Sequence, residues 1–144
     1  PLPRCAMANL GGASAMLNNL LNFQGVNWWT LLGGMGLNFV ITIVFSIAGA
    51  YFGSNEATLN VYAQVGPPLL VLGVFLGCLL AGFITGKLAD ENPIKHAFLA
   101  SLGAFVPYVA VGVMSLNPMI LMLAAVAVAG NLNGGILAQP RRRR

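Results

Sequence analysis

Residues 29–52, WTLLGGMGLNFVITIVFSIAGAYF, carry no charged side chain at all. A helix needs about 20 apolar residues to cross a hydrocarbon core roughly 30 Å thick, because each residue rises about 1.5 Å. At its centre Phe39-Val40-Ile41-Thr42-Ile43-Val44-Phe45 is apolar almost without interruption. Strands of a membrane barrel alternate apolar and polar residues over about ten positions. This run does not alternate, so it reads as a helix whose surroundings are lipid and other helices.

Working outward, three further stretches have the same character: 67–87, 94–115 and 118–138. The whole chain has 144 residues, 58% hydrophobic and 7% charged, with a mean hydropathy of +0.82. A soluble fold of this size would need more polar surface than that. The spacing predicts an all-α integral membrane protein, four transmembrane helices in an up-down bundle. Residues 28–140 form that domain. Residues 1–27 precede it as an N-terminal interfacial segment, and a basic tail, 141–144, follows. In the segment 1–27, Leu10, Leu17, Leu20 and Leu21 recur at near-helical spacing and predict a short helix. That helix has no Lys or Arg on its polar face, so docking on a partner is as good a reading as lying on the membrane surface.

Proline and asparagine mark the predicted helix starts. Asn92-Pro93 and Asn117-Pro118 combine a capping side chain with a residue suited to the first turn, and Pro67-Pro68 opens the second span. Pro107, inside the third span, is expected to kink it. Alternating helices place Arg4, Lys87, Lys95 and Arg141 to Arg144 on one side, with no Lys or Arg on the other. The positive-inside rule then predicts both termini in the cytoplasm, in a prokaryotic cytoplasmic membrane. The opposite side is predicted to hold the loop Gly53 to Gly66 and a tight turn at Leu116-Asn117.

Small residues recur on the predicted helix faces. Gly49 and Gly53, Gly73 and Gly77, Gly82 and Gly86, and Gly130 and Gly134 are all GxxxG pairs, and Ala81 extends the row on the second helix. In lipid such faces let backbones approach closely, so these nine residues are the predicted helix-packing set. Asn38, Thr42 and Ser46 recur every four residues as an intramembrane polar stripe. Hydrogen bonding between helices is the plainer reading of it, with Asn131 and Asn133 as possible partners; a solute pathway is the other. His96 stands alone among titratable imidazoles. It could ligate the central metal of a haem or chlorophyll, but is read first as an interfacial residue of a solvated loop containing Asp90 and Glu91. No cofactor is predicted, although bound lipid is expected. The tail Arg141, Arg142, Arg143 and Arg144 suits contact with anionic lipid head groups. Nucleic acid is not expected as a partner, since groove-reading elements are missing.

In size and helix count the chain is similar to the small multidrug-resistance exporters, whose first-helix glutamate has no counterpart here. It is likewise similar to the fluoride channels, whose Gly-rich first-helix motif ending in Arg is also unmatched. Coupled transport generally needs an ionisable group inside the membrane, and the middle of each span has none. No nucleophile with a base, no metal-ligand cluster and no phosphate loop appears. By elimination the sequence predicts no enzymatic activity. It predicts instead a non-catalytic accessory subunit that packs against other integral membrane subunits. The alternative is a small channel or carrier lined by Asn38, Thr42 and Ser46.

Overall fold

The computed structural model describes residues 25–89 and 92–140. The segment predicted as an N-terminal helix, the acids Asp90 and Glu91, and the arginine tail lie outside the described residues. Five helices account for nearly all the rest: α1 (Trp28–Ser54), α2 (Glu56–Leu88), α3 (Pro93–Ala100), α4 (Leu102–Met114) and α5 (Pro118–Ala138). Helices α3 and α4 follow one another as a single span, giving four helices long and apolar enough to cross a membrane. Among the described residues there is no strand. The chain is an all-α integral membrane protein.

Asparagine side chains cap three of the five helix starts. Asn27 caps α1, its carbonyl side chain accepting from the backbone N–H groups of Trp29 and Thr30 at 3.2 and 3.4 Å. Asn55 is the one non-helical residue between α1 and α2. It caps α2 by accepting from the Ala57 N–H at 3.0 Å, and Glu56 in that first turn complements the helix dipole. Helix α2 therefore starts well before Pro67-Pro68, and the loop expected over Gly53 to Gly66 is mostly helix. Each proline removes one N–H bond, a loss a long membrane helix absorbs once earlier turns have formed. At 33 residues and about 1.5 Å per residue, α2 is longer than the roughly 30 Å hydrocarbon core. Its first turns extend beyond the core unless the helix tilts.

The third span divides at Ser101, and Pro107 sits inside α4. The Ser101 hydroxyl donates to the Phe98 carbonyl at 2.6 Å, a local bond that competes with the regular ladder. One further expectation is corrected, the cap at Asn92. Asn92 does not cap α3 through its side chain, because its backbone is left-handed (φ 56°, ψ 60°). Asn117 does cap α5, accepting from the Met119 N–H at 3.0 Å. The turn before it closes through Leu116 in the left-handed region (φ 50°) and a bond from Asn117 N–H to Gly112 carbonyl at 3.0 Å. That is the geometry of a Schellman closure.

The most extensive packing is between α2 and α5, followed by α1 on α2. Val74 and Cys78 of α2 meet Leu123, Ala124 and Ala127 of α5 in a buried core that Ala104 and Tyr108 of α4 complete. A smaller cluster of Val26, Leu31, Leu99 and Ala100 joins the start of α1 to α3. Most large apolar side chains elsewhere, such as Val40, Ile47, Leu72 and Leu80, are exposed, as a lipid-facing surface requires.

Candidate functional site

At the centre of the bundle two amides face each other. The Asn38 Nδ2 donates to Asn131 Oδ1 at 3.1 Å and the Asn131 Nδ2 donates back to Asn38 Oδ1 at 2.7 Å. Each also donates to the carbonyl four residues earlier on its own helix, Gly34 and Ala127, at 2.9 and 3.0 Å. Both residues are completely buried. The Thr42 hydroxyl donates to the Asn38 carbonyl at 3.0 Å. Ser46, one turn on, is exposed, so the predicted stripe does not form one continuous lining. Asn133 points away, donating to Ala129. Close to this centre the hydroxyls of Thr85 and Tyr108 are sealed in without a hydrogen-bond partner.

The small residues divide between two kinds of contact. At the α2–α5 crossing a Cβ on Gly82 would meet the Asn131 backbone, with its Cα 2.7 Å away, and one on Gly130 would lie 2.6 Å from the Phe75 carbonyl oxygen. Gly134 likewise abuts the backbone of Leu79 and Phe83, and Gly86 faces Ala138. Ala81 is fully buried. On the α1–α2 side the neighbours are side chains instead: Phe45 against Gly73, Ile41 against Gly77, and Tyr62 against Gly49 and Gly53. Five close approaches fall outside every GxxxG pair. Gly34 meets Thr85 and Ala100, Gly66 meets Tyr62, Gly103 meets the Met35 backbone, Gly112 meets Leu121, and Gly135 meets Ala97. Their only sign in the sequence is glycine among bulky residues, which says nothing of the partner.

Toward the end of the bundle that holds Asn55, α1 and α2 separate and leave an open cleft of about 430 Å³ lined by Phe45, Phe52, Val61, Tyr62 and Leu69, with the Thr58 hydroxyl at its edge. A second cleft of about 430 Å³ opens between α1, α4 and α5, lined by Ile43, Ser46, Pro107 and Tyr108. Both fall within the roughly 300–1,000 Å³ of ordinary ligand sites. Their walls are apolar and suit an apolar chain or helical segment.

His96 is not in a solvated loop. It is 1% exposed, held where α3 meets the start of α1. Its Nε2 accepts the Asn27 N–H at 3.0 Å, while Nδ1 lies 3.2 Å from the Asn92 carbonyl. A backbone N–H can only donate and a carbonyl can only accept, so the ring is neutral with its proton on Nδ1. Both nitrogens are engaged, leaving neither for a haem or chlorophyll metal. Burial follows from Gly135 and Ala97, whose lack of bulk lets α3 settle on α5. Among the described residues no group of three or more His, Cys, Asp or Glu could hold a metal ion. Glu56 lies at the opposite end of the bundle, exposed.

The chain is similar to proteins named lipoprotein signal peptidase. One from Staphylococcus aureus is 34% identical over 86 residues, covering 56% of this chain and 52% of that protein. Another, from Staphylococcus haemolyticus, is 33% identical over 87 residues, covering 57% of this chain and 54% of its own length. The chain thus spans about half the length of the curated relatives it matches. No family model matches it, and no solved structure matches it significantly. A peptidase is an enzyme, and this likeness overturns the expectation of a non-catalytic accessory subunit and of a chain without enzymatic activity. The elimination had rested on finding no ionisable residue in the middle of any span and no nucleophile paired with a base. The channel or carrier reading falls with it, since Asn38 is locked in an amide pair and Thr42 is bonded to its own helix.

Proposed function

We propose that this chain takes part in the same task as those relatives, cutting the signal segment of lipoproteins at the membrane. The observation that carries the reading is the 33–34% identity over 86–87 residues to two proteins of that name. The α1–α2 cleft presents an apolar, laterally open wall to an apolar segment arriving through the lipid, at the end of the bundle opposite the connection that carries Asp90 and Glu91. Hydrolysis of a peptide bond needs one group to take a proton from water as it adds to the carbonyl carbon. It needs another to protonate the departing nitrogen. Asp90 and Glu91 are the chain's one pair of adjacent carboxylates, and we assign them that work, one as base and one as acid. The positive side of the protein, with Lys87, Lys95 and the arginine tail, faces the cytoplasm of a prokaryotic cell in this proposal, and the tail rests on anionic head groups.

The test is direct. The purified chain is reconstituted in liposomes with a lipoprotein precursor that still carries its signal segment, and cleavage is followed as a mobility shift. Cleavage by the wild type that drops at least tenfold in Asp90→Asn or Glu91→Gln, but not in Glu56→Gln, is the expected result. No cleavage under conditions in which the Staphylococcus aureus relative cuts would overturn the proposal.

A further inference from the structure

The cleft between α1, α4 and α5 carries two hydroxyls that the fold leaves uncommitted. Tyr108 lines it from α4 and is 5% exposed, yet its covered hydroxyl meets neither donor nor acceptor. Ser46 lines it from α1. Thr42 and Ser115 each donate to the carbonyl four residues earlier on their own helices, the usual outlet for such groups in a membrane helix. Ser46 makes no such bond and stands exposed. The other side chains of the wall are apolar, and a polar group left without a partner in such a setting is unfavourable.

We propose that this cleft binds a small neutral molecule of the quinone class, a flat ring with two carbonyls that dissolves in the bilayer, whatever reaction the chain performs. Tyr108 and Ser46 are the donors to its carbonyls. Phe39, Phe45 and Tyr108 offer flat aromatic surfaces to the ring, and Pro107 adds a fourth apolar face. A volume of about 430 Å³ suits a ligand of that size and is far too small for a membrane helix. Ile43, Ile47 and Val111 on its rim are exposed, so the cleft opens sideways and its occupant arrives through the lipid. Depth selects among lipid-soluble occupants. Tyr108 stands nearly two turns inside the end of α4 at Met114, about 9 Å along the axis. Charged head groups hold phospholipid carbonyls nearer the surface, whereas an uncharged quinone can sink to that level. An acyl chain would fill the space but leave both hydroxyls unmet. The Tyr108 hydroxyl is covered in the ligand-free cleft, so its side chain turns toward the ligand on binding. It breaks no existing hydrogen bond in doing so.

The probe is a ubiquinone with a single isoprene unit, and the control is an alkylbenzene of similar size without carbonyls. Each is equilibrated by dialysis between nanodiscs carrying the full chain and protein-free nanodiscs, and the excess on the protein side is measured against concentration. We expect a saturable excess of the quinone. Tyr108→Phe keeps the ring and removes only an unpartnered hydroxyl, so the fold is kept while binding weakens about fivefold, the worth of one hydrogen bond. Ser46→Ala should weaken it by a similar factor. Val111→Trp, which fills the cleft from an exposed position, should abolish the excess. Absence of a saturable excess in the wild type would overturn the site. So would a Tyr108→Phe affinity within about twofold of the wild type, less than one hydrogen bond supplies, or an alkylbenzene bound as tightly as the quinone. Either of these reduces the cleft to a seat for any lipid chain.

Discussion

Replacing Asn38 with leucine tests whether the central amides are a structural pair. The substitution removes both bonds between α1 and α5 and strands the Asn131 Oδ1, which has no other donor, at a position with zero exposure. Leaving a buried acceptor unmet costs about 1–3 kcal/mol. Hydrogen bonds between membrane helices average about 0.6 and reach about 1.7 kcal/mol in double-mutant cycles. The single variants Asn38→Leu and Asn131→Leu should therefore each lose about 1–2 kcal/mol. The double variant buries two apolar side chains where two amides stood and strands nothing, so it should lie at least about 1 kcal/mol above the sum of the singles. Reversible unfolding in lipid bicelles, monitored by steric trapping, measures all four proteins under one condition. If the two losses add to within about 0.3 kcal/mol, the amides do not act on one another and the account of the bundle centre is wrong.

Backbone contact at the α2–α5 crossing makes Gly82→Leu and Gly134→Leu each cost about 3 kcal/mol or more, read by the same unfolding assay, since nothing flexible can yield there. Gly33→Ala and Gly36→Ala, with open space around each, should change stability by less than about 0.5 kcal/mol. Asn117→Ala removes the bond to the Met119 N–H and should cost about 1 kcal/mol, with faster hydrogen exchange confined to the first turn of α5. For topology, single cysteines in place of Asn60 and Gln139, in an otherwise cysteine-free background, should label from opposite faces of sealed vesicles, with Gln139 reached from the cytoplasmic face. Labelling of both from one face would remove the up-down order.

The span count was legible because lipid acts on composition alone: a charge-free stretch such as 29–52 must satisfy its backbone within itself, and only a helix does so. Asn117 was legible as a cap for a similarly local reason, since its partner is two residues away. Asn55 was equally local but was masked by Pro67-Pro68, a stronger breaker signal that a long membrane helix overrides. GxxxG spacing singled out Gly82, Gly86, Gly130 and Gly134, all four of which lie in the α2–α5 seam. It had nothing to say about Gly34 or Gly103, whose neighbours come from elsewhere in the chain.

Sequence alone determined that four oily helices cross a bilayer, because that outcome depends on what each segment contains. Tertiary structure alone decided that Asn38 meets Asn131 across 93 positions and that the only histidine is sealed against Asn27 across 69. A side chain's periodicity tells which face it occupies, but its hydrogen-bond partner depends on which helices pack and at what height, and that is set by where small residues let backbones close.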